Sequence, residues 1–114
     1  MITIWHNPRC SKSRQTLALI EEQGITPNIR LYQKDGPSVA EIRTVLSRLD
    51  LPVAAIIRSK DSLFTELDLS IDMDEERLIN AMVAHPALIE RPIVQSDDKA
   101  ALGRPPENVL TLFK

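Results

Sequence analysis

The sequence predicts an α/β fold with a four-stranded mixed sheet, and three observations carry that prediction. Residues 2–32 read as strand, helix and strand, within the length of one right-handed βαβ unit. Residues 38–90 read as helical, and residues 91–113 as two strands followed by a closing helix.

The first strand is Ile2-Thr3-Ile4-Trp5, where apolar and polar residues alternate and Trp5 is bulky enough for either face. A helix over 11–23 carries Leu17, Leu19 and Ile20 on one pattern and stops at Gly24, a C′ residue. Pro27 opens a second alternating strand, Asn28 to Tyr32, and Asp35-Gly36-Pro37 is a turn. Ser38 and Glu41 have the spacing of a capping box, starting a helix that buries Val39, Ile42, Leu46 and Leu49. Pro52 marks a further helix from Val53 to Ile57, ending at Arg58, and a short one covers 61–67. Asp74, followed by Glu75 and Glu76, caps a helix with Leu78, Met82 and Val83 inward, ending near His85-Pro86. Arg91 to Gln95 reads as the third strand, Asp97-Asp98 as a turn, Lys99 to Leu102 as the fourth strand, and Glu107 to Phe113 as a helix. The order βαβ, helical insertion at about 38–90, ββα is a thioredoxin-like layout in a single domain.

Composition narrows the function classes. A chain of 114 residues supports one core and not two. Fourteen basic against sixteen acidic residues give a net charge of −2, which supplies no general attraction to nucleic acid or to an anionic membrane. No apolar run reaches membrane-span or signal-peptide length, so the expectation is a cytoplasmic protein, and a monomer is expected without any sequence feature that decides it. One cysteine and two histidines cannot close a tetrahedral zinc site without carboxylates, and no metal is expected. The single cysteine also excludes an internal disulfide, so redox chemistry would draw its second thiol from another molecule.

That cysteine is Cys10, and it falls where the first strand runs through a tight loop into the first helix. Unpaired N–H groups and the positive end of the helix dipole gather there and favour a thiolate. Arg9, Lys12 and Arg14 lie within four residues of it. A lone cysteine is more often a small buried hydrophobe, but the polar neighbours and the strand-to-helix junction favour a reactive thiol. Cys10-Ser11-Lys12-Ser13 is a C-x-x-S version of the C-x-x-C motif, in which Ser13 cannot resolve a disulfide but has a hydroxyl to offer the thiolate. His6 fits two readings by spacing alone: a strand end held by the backbone, or an imidazole beside the sulfur. Arg58, Arg91 and Arg104 each begin or end an element, and singly each reads as a solvated surface group.

Taken together, His6-Asn7-Pro8-x-Cys10-x-x-Ser13-Arg14, Ile56-Ile57-Arg58, His85-Pro86-x-Leu88-Ile89-x-Arg91-Pro92-Ile93-Val94 and Arg104-Pro105 resemble the glutaredoxin-dependent arsenate reductases of the ArsC family. The resemblance spans nearly the whole chain, in the family's order, and is strongest to a short bacterial subgroup. Well-studied members carry a longer C-terminal tail. The resemblance implies that Cys10 is the nucleophile with His6 and Ser13 as helpers. It also implies that Arg58, Arg91 and Arg104, with Asn7, bind arsenate or a similar oxyanion, for which guanidinium forks are well matched. It further implies a cis Arg91–Pro92 bond beside the thiol, with Arg14 as a nearby helper. No bound cofactor is implied; glutathione is the co-substrate and glutaredoxin the partner. Two other readings share the residues: a glutathione-dependent thiol oxidoreductase acting on another substrate, and a redox-responsive regulator of the Spx type that binds RNA polymerase. Spx-type proteins commonly use a C-x-x-C switch, which Ser13 removes here.

Overall fold

The computed structural model describes residues Met1–Phe113, which form two compact units: Met1–Asp35 joined by the segment from Arg91 onward, and Gly36–Glu90. In the first unit, β1 (Thr3–Trp5), α1 (Ser11–Glu22), β2 (Asn28–Arg30), β3 (Ile93–Gln95) and β4 (Ala100–Leu102) are followed by a 3-10 helix, Pro106–Phe113. The sheet order is β2-β1-β3-β4; β1 and β2 are parallel, and the other two pairings are antiparallel. This is the mixed four-stranded sheet of a thioredoxin-like fold.

Packing follows from the alternation along the strands. The register aligns Ile4 with Val94, and Val94 with Ala101. Ile4 and Val94 are fully buried with Ile20 of α1 and Val109 of the closing helix, while Leu17, Ile25, Leu112 and Phe113 pack around them. Each of these side chains contributes about 1.5–3 kcal/mol if fully buried, so this apolar layer fixes α1 and the closing helix to one face. Gly24 sits beyond the end of α1 at φ +77, a left-handed conformation that glycine adopts without a Cβ penalty.

The second strand is shorter than its alternation suggests. The His6 N–H donates to the Arg30 carbonyl at 2.8 Å, and beyond it Lys34 and Asp35 N–H groups both turn back to the Leu31 carbonyl. β1 has ended, so residues 31–35 have no ladder partner and form a turn. Tyr32 leaves the strand to lie fully buried, its ring stacked 6.4 Å from that of Trp5. Ile29 and Leu31, on the sheet edge, remain 47% and 40% exposed.

The second unit contains α2 (Val39–Leu49), α3 (Ser62–Glu66) and α4 (Glu75–Ala84), with 3-10 turns at Val53–Ala55 and Pro86–Leu88. The capping box is present: Glu41 N–H donates to Ser38 Oγ at 3.1 Å, and Ser38 N–H to Glu41 Oε1 at 3.0 Å. Asp74 caps α4 by accepting from Arg77 N–H at 3.0 Å. Ile42, Val45 and Leu46 of α2 are buried, and Leu78, Ile79 and Met82 of α4 are fully buried. The helix expected from Val53 to Ile57 is a single 3-10 turn, because Ile57 leaves it to form an antiparallel bridge with Ile89. Among the described residues no helix is long and apolar enough to cross a membrane.

Candidate active site

The loop between β1 and α1 is built from its own backbone and two side chains. Cys10 N–H donates to the Asn7 carbonyl at 3.0 Å, and Arg9 N–H to Asn7 Oδ1 at 3.0 Å, an Asx turn. Pro8 has no N–H to place, and its carbonyl accepts from Arg14 Nη1 at 2.8 Å. Cys10 is the N-cap residue of α1, with extended φ −95 and ψ 123, and its carbonyl accepts the first helical bond from Arg14 N–H. Its sulfur faces the first-turn N–H groups of Lys12 and Ser13, which favour the thiolate as hydrogen-bond donors.

Two arginines converge on that sulfur from the other side of β1. Arg91 precedes β3 and Arg104 follows β4, and the pairing of Ile93 with Leu102 makes them neighbours across the ladder. Arg104 Nε donates to the Arg91 carbonyl at 2.8 Å, and its Nη2 lies 3.7 Å from Cys10 Sγ. Burial is the largest influence on the Cys10 thiol and pushes its pKa up. The Ser13 N–H, the hydrogen bond and charge of Arg91, and the Lys12 N–H together outweigh it, leaving the pKa below the ordinary thiol value. The arrangement can hold a thiolate and, around it, the charge of a tetrahedral oxyanion.

The sign of that shift gives a test. Only the thiolate alkylates, so the rate should rise with pH through a midpoint below that of a free cysteine. Replacing Arg91 with Gln removes a charge that favours the thiolate, so the midpoint should move upward; Lys99→Gln, on the β3–β4 turn, should leave it in place. A midpoint unmoved in Arg91→Gln would mean that Arg91 takes no part in setting the thiol.

His6 and Ser13 meet each other. His6 Nδ1 and Ser13 Oγ lie 2.6 Å apart, and Asn7 N–H donates to the same Oγ at 3.0 Å, all with His6 and Ser13 buried. Burial first, then the charge of Arg14, lowers the His6 pKa, which favours the neutral ring. The hydroxyl of Ser13 therefore ties the loop, and its backbone N–H serves the sulfur. Asn7 shapes the turn through Oδ1, its carbonyl and its N–H. Arg14, expected beside the site, clamps Pro8. Arg58 belongs to the helical unit, where its guanidinium lies 3.2 Å from Asp61 and 4.0 Å from Glu90.

The cis Arg91–Pro92 bond that the resemblance implies is present, and two positions that sequence reasoning did not select, Thr16 and Gly103, complete the support. The Arg104–Pro105 bond is cis as well. Gly103 N–H donates to the Pro92 carbonyl at 3.0 Å, and Thr16 Oγ1, which donates to Lys12 O at 2.8 Å, also reaches Gly103 O at 3.5 Å. A Cβ on Gly103 would come within 2.5 Å of Pro92 Cγ and 2.6 Å of Thr16 Oγ1. The glycine immediately before Arg104-Pro105 was the available signal.

Residues 5–112 match the ArsC family. The arsenate reductase of Haemophilus influenzae is 47% identical, covering 98% of each chain. That of Neisseria meningitidis serogroup A is 46% identical over 95% of this chain and 94% of its own. Among solved structures, the arsenate reductase from Vibrio cholerae superposes with a TM-score of 0.93 at 47% identity, covering 96% of this chain and 95% of that one.

Proposed function

This chain belongs to the ArsC family, and from that premise we propose that it is an arsenate reductase with Cys10 as nucleophile. The observation that carries the reading is the convergence of Arg91 and Arg104 on a thiol whose pKa is lowered. The Cys10 thiolate attacks arsenic(V); a sulfur–arsenic bond forms and one arsenate oxygen leaves as water after protonation. Arg91 and Arg104 balance the charge on the remaining oxygens as it shifts. His6 is a positioning residue that acts through Ser13 on the loop.

The electrons come from outside, because the chain has one cysteine. Glutathione thiolate attacks the Cys10 sulfur, forming a mixed disulfide; the sulfur–arsenic bonding pair stays on arsenic, which becomes arsenic(III) and leaves as arsenite. A glutaredoxin thiol then takes the glutathionyl group and restores Cys10. No bound cofactor takes part, and the thiol supply matches a reducing compartment such as the cytoplasm, with the protein acting as a monomer.

The test is oxidation of NADPH coupled through glutathione reductase, with glutathione and glutaredoxin present. Oxidation should require arsenate, and phosphate or sulfate should not replace it, since neither offers an accessible two-electron reduction here. No arsenate-dependent oxidation, with Cys10 still alkylating rapidly, would overturn the assignment and favour a glutathione-dependent thiol enzyme with a different substrate.

A further inference from the structure

The loop that leads to Cys10 has a second flank, toward the edge strand β2 rather than toward the arginines. A groove of about 210 Å³ runs along the loop, lined by His6, Asn7, Pro8, Arg9, Leu31, Gln33 and Lys34. Its two walls are the loop leading to Cys10 and the turn that follows the edge strand β2. Because β1 lies between β2 and β3, this groove and the Arg91–Arg104 pair flank the Cys10 loop from opposite sides.

We infer that this groove binds the peptide part of a small anionic thiol peptide, placing its sulfur beside Cys10 while Arg91 and Arg104 hold the oxyanion. The inference rests on the glutathione-dependent reading above and names the site of its co-substrate. Charge points to the occupant. Arg9 and Lys34 are exposed on the two walls, and among the described residues neither is paired with an acid. The acid next in the chain, Asp35, is turned to Arg30, whose Nε lies 3.8 Å from its carboxylate. No carboxylate lines the groove, so the two carboxylates of such a ligand meet two cations and no like charge. Between them, Leu31 and Pro8 offer apolar contact to a methylene stem, and the Gln33 amide can pair with a peptide group. Gln33 is steadied by its Nε2 donating to the hydroxyl of buried Tyr32 at 3.5 Å. An arsenate ion alone would leave those apolar walls unused.

S-methylglutathione is the probe, since it keeps both carboxylates and cannot reduce anything. Titrated into the full-length protein and followed by amide chemical shifts, it should perturb His6, Asn7, Arg9 and Leu31 to Lys34. Lys34→Glu should weaken binding by roughly tenfold, through charge reversal at a partly exposed site, and Lys99→Glu should not. S-methylcysteine, lacking the peptide, should bind more weakly still. Shifts confined to other residues, or equal binding by Lys34→Glu, would overturn the groove assignment. The two readings fail separately. Saturable binding in the groove without arsenate turnover would remove arsenate and keep the groove. Arsenate turnover whose KM for glutathione is untouched by Lys34→Glu would keep arsenate and remove the groove, leaving the thiol to arrive from elsewhere.

Discussion

Cys10→Ser is expected to remove arsenate-dependent turnover, by on the order of 10⁴-fold or more, as loss of a nucleophile does. Serine keeps the shape of the N-cap position and fits the extended φ and ψ found there. It does not keep the chemistry. The Ser13 and Lys12 N–H groups and Arg91 act by favouring a charged sulfur over a neutral one. A hydroxyl stays neutral throughout the working pH range, so the same groups have no anion to stabilise and no nucleophile results. Arg91 and Arg104 remain in place, because the Arg104-to-Arg91 carbonyl contact does not involve the thiol. Equilibrium binding of arsenate should therefore persist in the variant while turnover is lost, separating the nucleophile from the oxyanion ligands. Labelling by an alkylating reagent should vanish as well, since no second cysteine exists. Residual turnover comparable to wild type would exclude Cys10 as the attacking atom.

What the chain revealed in advance was whatever is encoded locally. Ser38 and Glu41 sit three residues apart, and the bonds they make depend on nothing beyond one helical turn. The stop at Gly24 is equally local. Features that depend on a distant partner were harder to read. Val53 to Ile57 has helix-compatible residues, but Ile57 is claimed by Ile89, thirty-two positions on. Asn28 to Tyr32 alternates like a strand, yet its length is set by where β1 ends and by the stacking of Tyr32 on Trp5. The site divides in the same way. That the first-turn N–H groups of α1 favour a thiolate follows from helix geometry; that they outweigh burial only with the help of Arg91 does not. That Arg91 and Arg104 share the sulfur depends on the β3–β4 register. The pairing of His6 with Ser13 depends on how tightly residues 7–10 fold, which spacing does not specify, and it ties the imidazole to the loop that carries Cys10.

Gly103→Ala is expected to be the most damaging change outside the reacting groups. The glycine is needed for close approach: its backbone bonds to Pro92, and Thr16 of α1 rests on it. An added methyl would meet Pro92 Cγ at 2.5 Å and Thr16 Oγ1 at 2.6 Å, distances that real Cβ contacts do not adopt. Neither neighbour has an easy retreat. Pro92 is a buried ring next to β3, and Thr16 is fully buried and tied to the Lys12 carbonyl. Overpacking of this kind costs about 1–3 kcal/mol, which for a domain of this size lowers Tm by on the order of 10 °C. The displacement also reaches the chemistry from both ends. Arg104 is the next residue, Arg91 adjoins Pro92, and Thr16 belongs to the helix whose first turn faces the sulfur. Turnover should fall further than the lost stability explains when measured well below Tm, and the alkylation midpoint should rise as Arg91 and Arg104 shift away from Sγ. Thr16→Ala should relieve one of the two clashes, so the double variant should regain part of the Tm but not all of it, because Pro92 still blocks the methyl. If Gly103→Ala kept wild-type Tm and turnover, α1 would not be seated on the β4 end as closely as these contacts require, and the convergence of the two arginines on Cys10 would need another support.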